Sequence, residues 1–179
     1  VWCCPMHTQI DHLVIVAKSL EQGVQWCEDT LGITPGPGGE HTLYGTHNRL
    51  FKVASPANPM AYVEIIAIDP TATPTRAAPL RRWFDLDDPA LLARLASHGP
   101  VIPVIVLQRV ADAVPLAEAL LAGGVKVLEV TMRTPVALQC IEAIARALPE
   151  AEVGAGTIRS AADAQAALDA GSRFAVSPG

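Results

Sequence analysis

Aromatic side chains make up only 4% of this 179-residue chain and charged ones only 17%, whereas half of all residues are hydrophobic. Its core must therefore be packed by Ala, Val, Leu and Ile, as in an aliphatic α/β protein. Lysine occurs at three positions, Lys18, Lys52 and Lys126, and no cluster of Lys and Arg exists anywhere. Together with a net charge of −5, this argues against nucleic acid or an anionic membrane as a partner. No apolar run reaches the roughly 18 residues needed to span a bilayer, and no secretory leader is evident, so the cytoplasm is the expected compartment. Cys3, Cys4, Cys27 and Cys140 lack the spacing of a disulfide framework or a zinc site. The Cys3-Cys4 pair falls in residues 1–5, read as a leader ahead of Met6.

What is present is an alternation of strand and helix signals over the last eighty residues. Val101-Ile-Pro-Val-Ile-Val-Leu107 reads as a strand. Asp112 is expected to cap a helix with Pro115 in its first turn, running through Leu116, Leu120 and Leu121 to Gly123-Gly124. After the strand Val125–Thr134, Thr134 is expected to cap a second helix with Pro135 at its first position, stopping before Pro149. A short strand around Val153, a turn at Gly154-Ala-Gly156-Thr157, a helix capped by Ser160 with Asp163 three residues on, and a strand Phe174–Pro178 complete the order βαβαβαβ. The phrases Ala122-Gly-Gly-Val and Ala170-Gly-Ser-Arg repeat one device, a helix stop followed by a strand.

The strand Val125-Lys-Val-Leu-Glu-Val-Thr-Met-Arg-Thr134 is the most informative of these. Alternation places Val127, Glu129, Thr131 and Arg133 on one face and Leu128, Val130 and Met132 on the other. Strands of a covered parallel sheet normally read as unbroken Val, Ile and Leu, and an ionised group there is costly unless it is paired, hydrated or functional. Arg133-Thr134, Gly156-Thr157 and Ser177-Pro178 all fall at the carboxyl ends of their strands, the edge where α/β sheets bind substrates.

These residues carry a resemblance. Val101-Ile-Pro-Val-Ile-Val, Ala113-Val-Pro-Leu-Ala, Ala122-Gly-Gly-Val, Leu128-Glu-Val-Thr-Met-Arg-Thr134, Val153-Gly-Ala-Gly-Thr157 and Phe174-Ala-Val-Ser-Pro-Gly179 stand in order. From about residue 99 to 179 the chain resembles the amino-terminal half of 2-keto-3-deoxy-6-phosphogluconate (KDPG) aldolase, also described as 4-hydroxy-2-oxoglutarate aldolase. The resemblance implies part of a (β/α)8 barrel, about four strands of it. It also implies a class I lyase that cleaves a 2-keto-4-hydroxy acid to pyruvate and an aldehyde through a lysine Schiff base, with no cofactor. By the same resemblance Glu129 is the general acid/base, Arg133 binds the substrate carboxylate, and Thr157 and Pro178 line the substrate pocket. The residue types suit those tasks. A buried carboxylate whose pKa is lifted towards neutrality moves protons well, and a guanidinium fork matches a 2-oxo carboxylate.

The family's Schiff-base lysine lies on a later strand, past Gly179. Lys126 has the opposite parity from Glu129 on its strand, so it is a poor substitute. The segment is therefore expected to be inactive alone, and its open sheet edges to favour a homo-oligomer.

The first seventy residues read differently. Thr8–Val16 is a strand and Leu20–Leu31 an amphipathic helix between Ser19 and Gly32. His41–Val53 forms one or two strands with a bend at Gly45, and Ala61–Ile68 a last strand. This βαβββ order, with His41-x5-His47-Asn48 following Gly38-Gly39, resembles the first module of glyoxalase-like vicinal oxygen chelate proteins. The resemblance implies an α+β module and a divalent metal held by His12 and Glu64. His41, His47 and Asn48 read as loop or fold residues able to join a site across a dimer. Two ligands do not close a metal site, and the superfamily takes the others from a second module.

The expected organisation is thus a leader at 1–5, a glyoxalase-like module at 6–70, a Pro/Thr-rich connector with a short helix at 71–98, and a half-barrel at 99–179. The leading expectation is an aldolase-family lyase acting on a small 2-oxo acid. The alternatives are a metal-dependent glyoxalase-like enzyme completed by dimerisation and a non-catalytic fused scaffold.

Overall fold

In the computed structural model, residues 8–56, 58–73, 75, 90, 93 and 101–176 are described. The leader, most of the connector with its short helix, and the expected pocket residue Pro178 lie outside them. The described residues divide into two compact units, one within 12–103 and one of residues 8–11 with 104–176.

In the 12–103 unit, β1 (Gln9–Val16, from His12 on) is followed by α1 (Leu20–Leu31), β2 (Glu40–His41), β3 (Thr46–Lys52) and β4 (Tyr62–Ile68). This is the expected βαβββ order. Ser19 caps α1 by accepting a bond from the Gln22 amide at 3.3 Å, and Gly32 ends it in the left-handed conformation at φ 67°. The strands lie in the order β2-β3-β4-β1, antiparallel except for the parallel pair of β4 and β1. Leu20 and Cys27 of the helix are buried with Ile15, Val63 and Ile65 of the sheet. His12 and Glu64 lie on the opposite sheet face, beside the buried Val14 and Ile66.

In the other unit, β5 (Val101–Val106, from Val104 on), α2 (Ala113–Ala122), β6 (Val127–Thr131), α3 (Ala137–Ala147), β7 (Glu152–Gly156) and α4 (Ala161–Asp169) alternate as the sequence predicts. β5, β6 and β7 run parallel, and after α4 the chain bridges Ala175 to Ala155 in the same sense. Leu128 and Val130 of β6 and Val153 and Ala155 of β7 turn one face into a core completed by Ile141 and Ile144 of α3. Each such aliphatic side chain contributes about 1.5–3 kcal/mol by leaving water.

Three local expectations are corrected. Asp112 stands at the N-cap position but makes no capping bond: its carboxylate accepts from Arg109 (2.6 and 3.0 Å) and from the Thr8 hydroxyl (2.6 Å), and a 3-10 turn, Val110–Asp112, leads into α2. Thr134 is not a cap either. Its hydroxyl donates to the Leu107 carbonyl at 2.7 Å, Pro135 falls in the preceding turn, and α3 begins only at Ala137. Gly154 and Gly156, expected in a turn, belong to β7. Ser160 does cap α4, accepting from the Asp163 amide at 3.1 Å while the Asp163 carboxylate accepts from the Arg159 amide at 3.1 Å.

Candidate active site

Because Leu128 and Val130 claim the aliphatic side of β6, Val127, Glu129 and Thr131 face the other way, and all three are buried. Glu129 is only 4% exposed. In the parallel register Glu129 lies opposite Gly154 and Thr131 opposite Gly156. Two glycines on one face of β7 create the room this requires. A β-carbon at Gly156 would stand 1.6 Å from Glu129 Oε1, and one at Gly154 would stand 2.2 Å from the Phe174 ring. The glutamate carboxylate therefore lies directly across the Gly156 backbone. Thr131 spends its hydroxyl on the Ile105 carbonyl at 3.2 Å, which ties β6 to β5.

Arg133 comes two residues later, past the end of β6, and its side chain is half exposed. Its Nε donates to the Thr157 hydroxyl at 3.4 Å, and its Nη1 lies 3.4 Å from Asp11 Oδ1. Thr157 has φ 62°, the left-handed conformation that β-branched residues rarely adopt. That conformation turns the chain sharply after Gly156. Arg133 and Thr157 thus meet past the carboxyl ends of β6 and β7, and the carboxylate of Glu129, from the middle of β6, reaches Gly156, the last residue of β7. Gly156 is read from the sequence only as a turn and strand-end residue, not as room for Glu129, and Asp11 is not singled out at all. The alternation Gly154-Ala-Gly156 carried a signal for the first, since small residues on one strand face mark a close approach; nothing local marked the second.

A second polar cluster occupies the 12–103 unit. His12 stacks on Tyr62 with centroids 4.6 Å apart, and its Nε2 lies 3.8 Å from Glu64 Oε2. Asn48, read from sequence as a loop or fold residue, is a buried residue of β3 whose amide organises the cluster. Its Oδ1 accepts from the Gly39 amide at 2.7 Å, which orients its Nδ2 to donate to Glu64 Oε1 at 2.6 Å. The same Nδ2 approaches His41 Nε2 at 3.4 Å, so that nitrogen accepts and Nδ1 carries the proton towards Thr46 Oγ1, 3.0 Å away. Burial holds the His41 pKa below the usual histidine range, partly offset by the Glu64 charge. His12 and Glu64 are brought together as expected, yet among the described residues no third His, Cys, Asp or Glu joins them to complete a metal-binding group. The described donors do not make a closed metal site.

Residues 93–179 match the family described as KDPG and KHG aldolase. The chain is 54% identical over 85 residues to the KHG/KDPG aldolase of Escherichia coli K12, an alignment covering 48% of this chain and 40% of that protein. The chain thus spans about two-fifths of the length of the curated relatives it matches. Among solved structures, the 2-keto-3-deoxy-6-phosphogluconate aldolase of Zymomonas mobilis ZM4 with 3-phosphoglycerate is 52% identical, with TM-score 0.42 over 44% of this chain and 37% of that one. The methylmalonyl-CoA epimerase of Streptomyces coelicolor in complex with 2-nitronate-propionyl-CoA is 20% identical, with TM-score 0.34 over 62% of this chain and 70% of that one. No helix among the described residues is long and apolar enough to cross a membrane.

Proposed function

We propose that the β5–α4 segment supplies the carboxylate-binding and acid/base groups of a class I aldolase, an enzyme that cleaves 2-keto-4-hydroxy acids such as 2-keto-3-deoxy-6-phosphogluconate to pyruvate and an aldehyde. The supporting observation is a half-exposed guanidinium meeting a hydroxyl past the strand ends, with a buried carboxylate reaching the last residue of β7. The 54% identity to an aldolase over the same stretch agrees with it.

In this reading the Arg133 fork and the Thr157 hydroxyl bind the substrate's carboxylate. That orients the scissile C3–C4 bond towards the Glu129 carboxylate. Where an amine has condensed with the 2-keto group and released water to form an iminium, Glu129 accepts the C4 hydroxyl proton as the bond breaks and the electron pair passes to that iminium, leaving an enamine and the aldehyde. No metal or organic cofactor enters that route.

Lys18, Lys52 and Lys126 are all exposed, and Lys126 precedes β6 with the wrong parity for the Glu129 face. We therefore include in the proposal that the 179-residue chain by itself holds the acid/base and carboxylate-binding groups without a placed amine. Titration with pyruvate, followed by borohydride reduction and intact-mass measurement, tests both parts. Binding that is lost in Arg133→Ala, with no reduced adduct, is the expected result. Absence of binding by the folded chain overturns the substrate assignment; a reduced pyruvate adduct or measurable retro-aldol turnover overturns the missing amine.

A further inference from the structure

We infer that Asp11 is an autoinhibitory group: its carboxylate occupies the end of the Arg133 guanidinium that a substrate carboxylate would use. The inference rests on the assignment of Arg133 to carboxylate binding. A guanidinium presents two bidentate edges, one through Nε and Nη2 and one through Nη1 and Nη2. In this structure each edge is already engaged at one atom, Nε by the Thr157 hydroxyl and Nη1 by Asp11 Oδ1, both at 3.4 Å.

These two partners differ in their response to an incoming anion. The hydroxyl is neutral and rotates freely, so it can give up its acceptor role and donate to the ligand, making Thr157 a compatible neighbour. A carboxylate has no proton to offer at neutral pH, and its charge repels a second carboxylate. Asp11 must therefore move aside before the Nη1–Nη2 edge can grip a 2-oxo acid in bidentate fashion. Asp11 and Arg133 retain 27% and 48% side-chain exposure, so the contact is screened by water and displaceable rather than locked. This makes it a threshold for small carboxylates and not a permanent block.

The test is calorimetric titration of the full chain with sodium pyruvate, comparing wild type with Asp11→Asn, and with Asp11→Ser as a second variant should the first fold poorly. Removing the competing charge is expected to tighten pyruvate binding about two- to five-fold, the range that separating one exposed ion pair supports. The gain should shrink as salt rises from low to physiological strength. It should vanish when Arg133→Gln is added. Equal affinity of wild type and both Asp11 variants, with binding still dependent on Arg133, overturns this inference while leaving the functional reading intact. Failure of every folded variant to bind pyruvate overturns the functional reading and this inference with it.

Discussion

The Glu129 carboxylate fills the space that a side chain at Gly156 would take, with Oε1 lying 1.6 Å from where that β-carbon would stand. A methyl group there must drive the carboxylate out of its buried position. Gly156→Ala is therefore expected to destabilise the protein by about 1–3 kcal/mol, the usual cost of overpacking. Urea denaturation reads this directly. The same substitution in a Glu129→Ala background should cost clearly less, because the clashing group is gone. Equal costs in the two backgrounds would show that Gly156 matters for its backbone and not for the carboxylate.

Thr157 adopts the left-handed conformation at φ 62°, and its hydroxyl accepts from Arg133. Relief of left-handed strain is worth about 1–2 kcal/mol, while glycine costs roughly 0.5–1 kcal/mol in backbone entropy. Thr157→Gly should accordingly leave the unfolding free energy unchanged or raise it by up to about 1.5 kcal/mol. Pyruvate affinity should fall at the same time. A clear loss of stability in thermal unfolding would mean that the hydroxyl contact outweighs the strain.

Asn48 joins Gly39 to Glu64 through one oriented amide. Asn48→Ala takes a hydrogen bond from a largely buried carboxylate, and bonds to charged groups contribute about 1.5–3 kcal/mol. A loss of that size is expected in chemical denaturation. Asn48→Asp should be worse than Ala, since it sets a second carboxylate beside Glu64. Parity between the two variants would count against the donor role.

His41 has its pKa lowered by burial in the folded protein, so the folded state binds its proton less readily than the unfolded chain. Above the unfolded value, about 6.5, both states are neutral and stability is unaffected by this group. As pH falls below that value the unfolded chain takes up the proton first, and stability declines until the folded pKa is passed. Acidification from pH 7 to 5 should lower the denaturation midpoint, and His41→Gln should flatten that slope. An unchanged slope in the variant assigns the pH response elsewhere.

Some of this was readable residue by residue. Ser19, Gly32, Ser160 and Asp163 act within three or four residues of their own positions, so sequence spacing determines their partners. Parity along β6 likewise foretold that Glu129 and Thr131 share a face opposite Leu128 and Val130. Asp112 and Thr134 were misjudged for the converse reason. Each carries a side chain suited to a cap but spends it elsewhere, Asp112 on Arg109 three residues before it and on distant Thr8, Thr134 on the Leu107 carbonyl. Gly154 and Gly156 look like turn residues until Phe174 and Glu129 are seen to need their space. Asn48 gave no local sign of binding Glu64, sixteen residues along.

The sequence by itself determined the alternation of strands and helices, the apolar face of each and the residue types available for chemistry, because periodicity and capping are short-range properties of the chain. Only the tertiary structure decided that Glu129 would lie across Gly156, that Arg133 would be shared between Thr157 and Asp11, and that Asn48 would hold Glu64. Those relations depend on which strands become neighbours and in what register, and register is settled by burial of whole sheet faces.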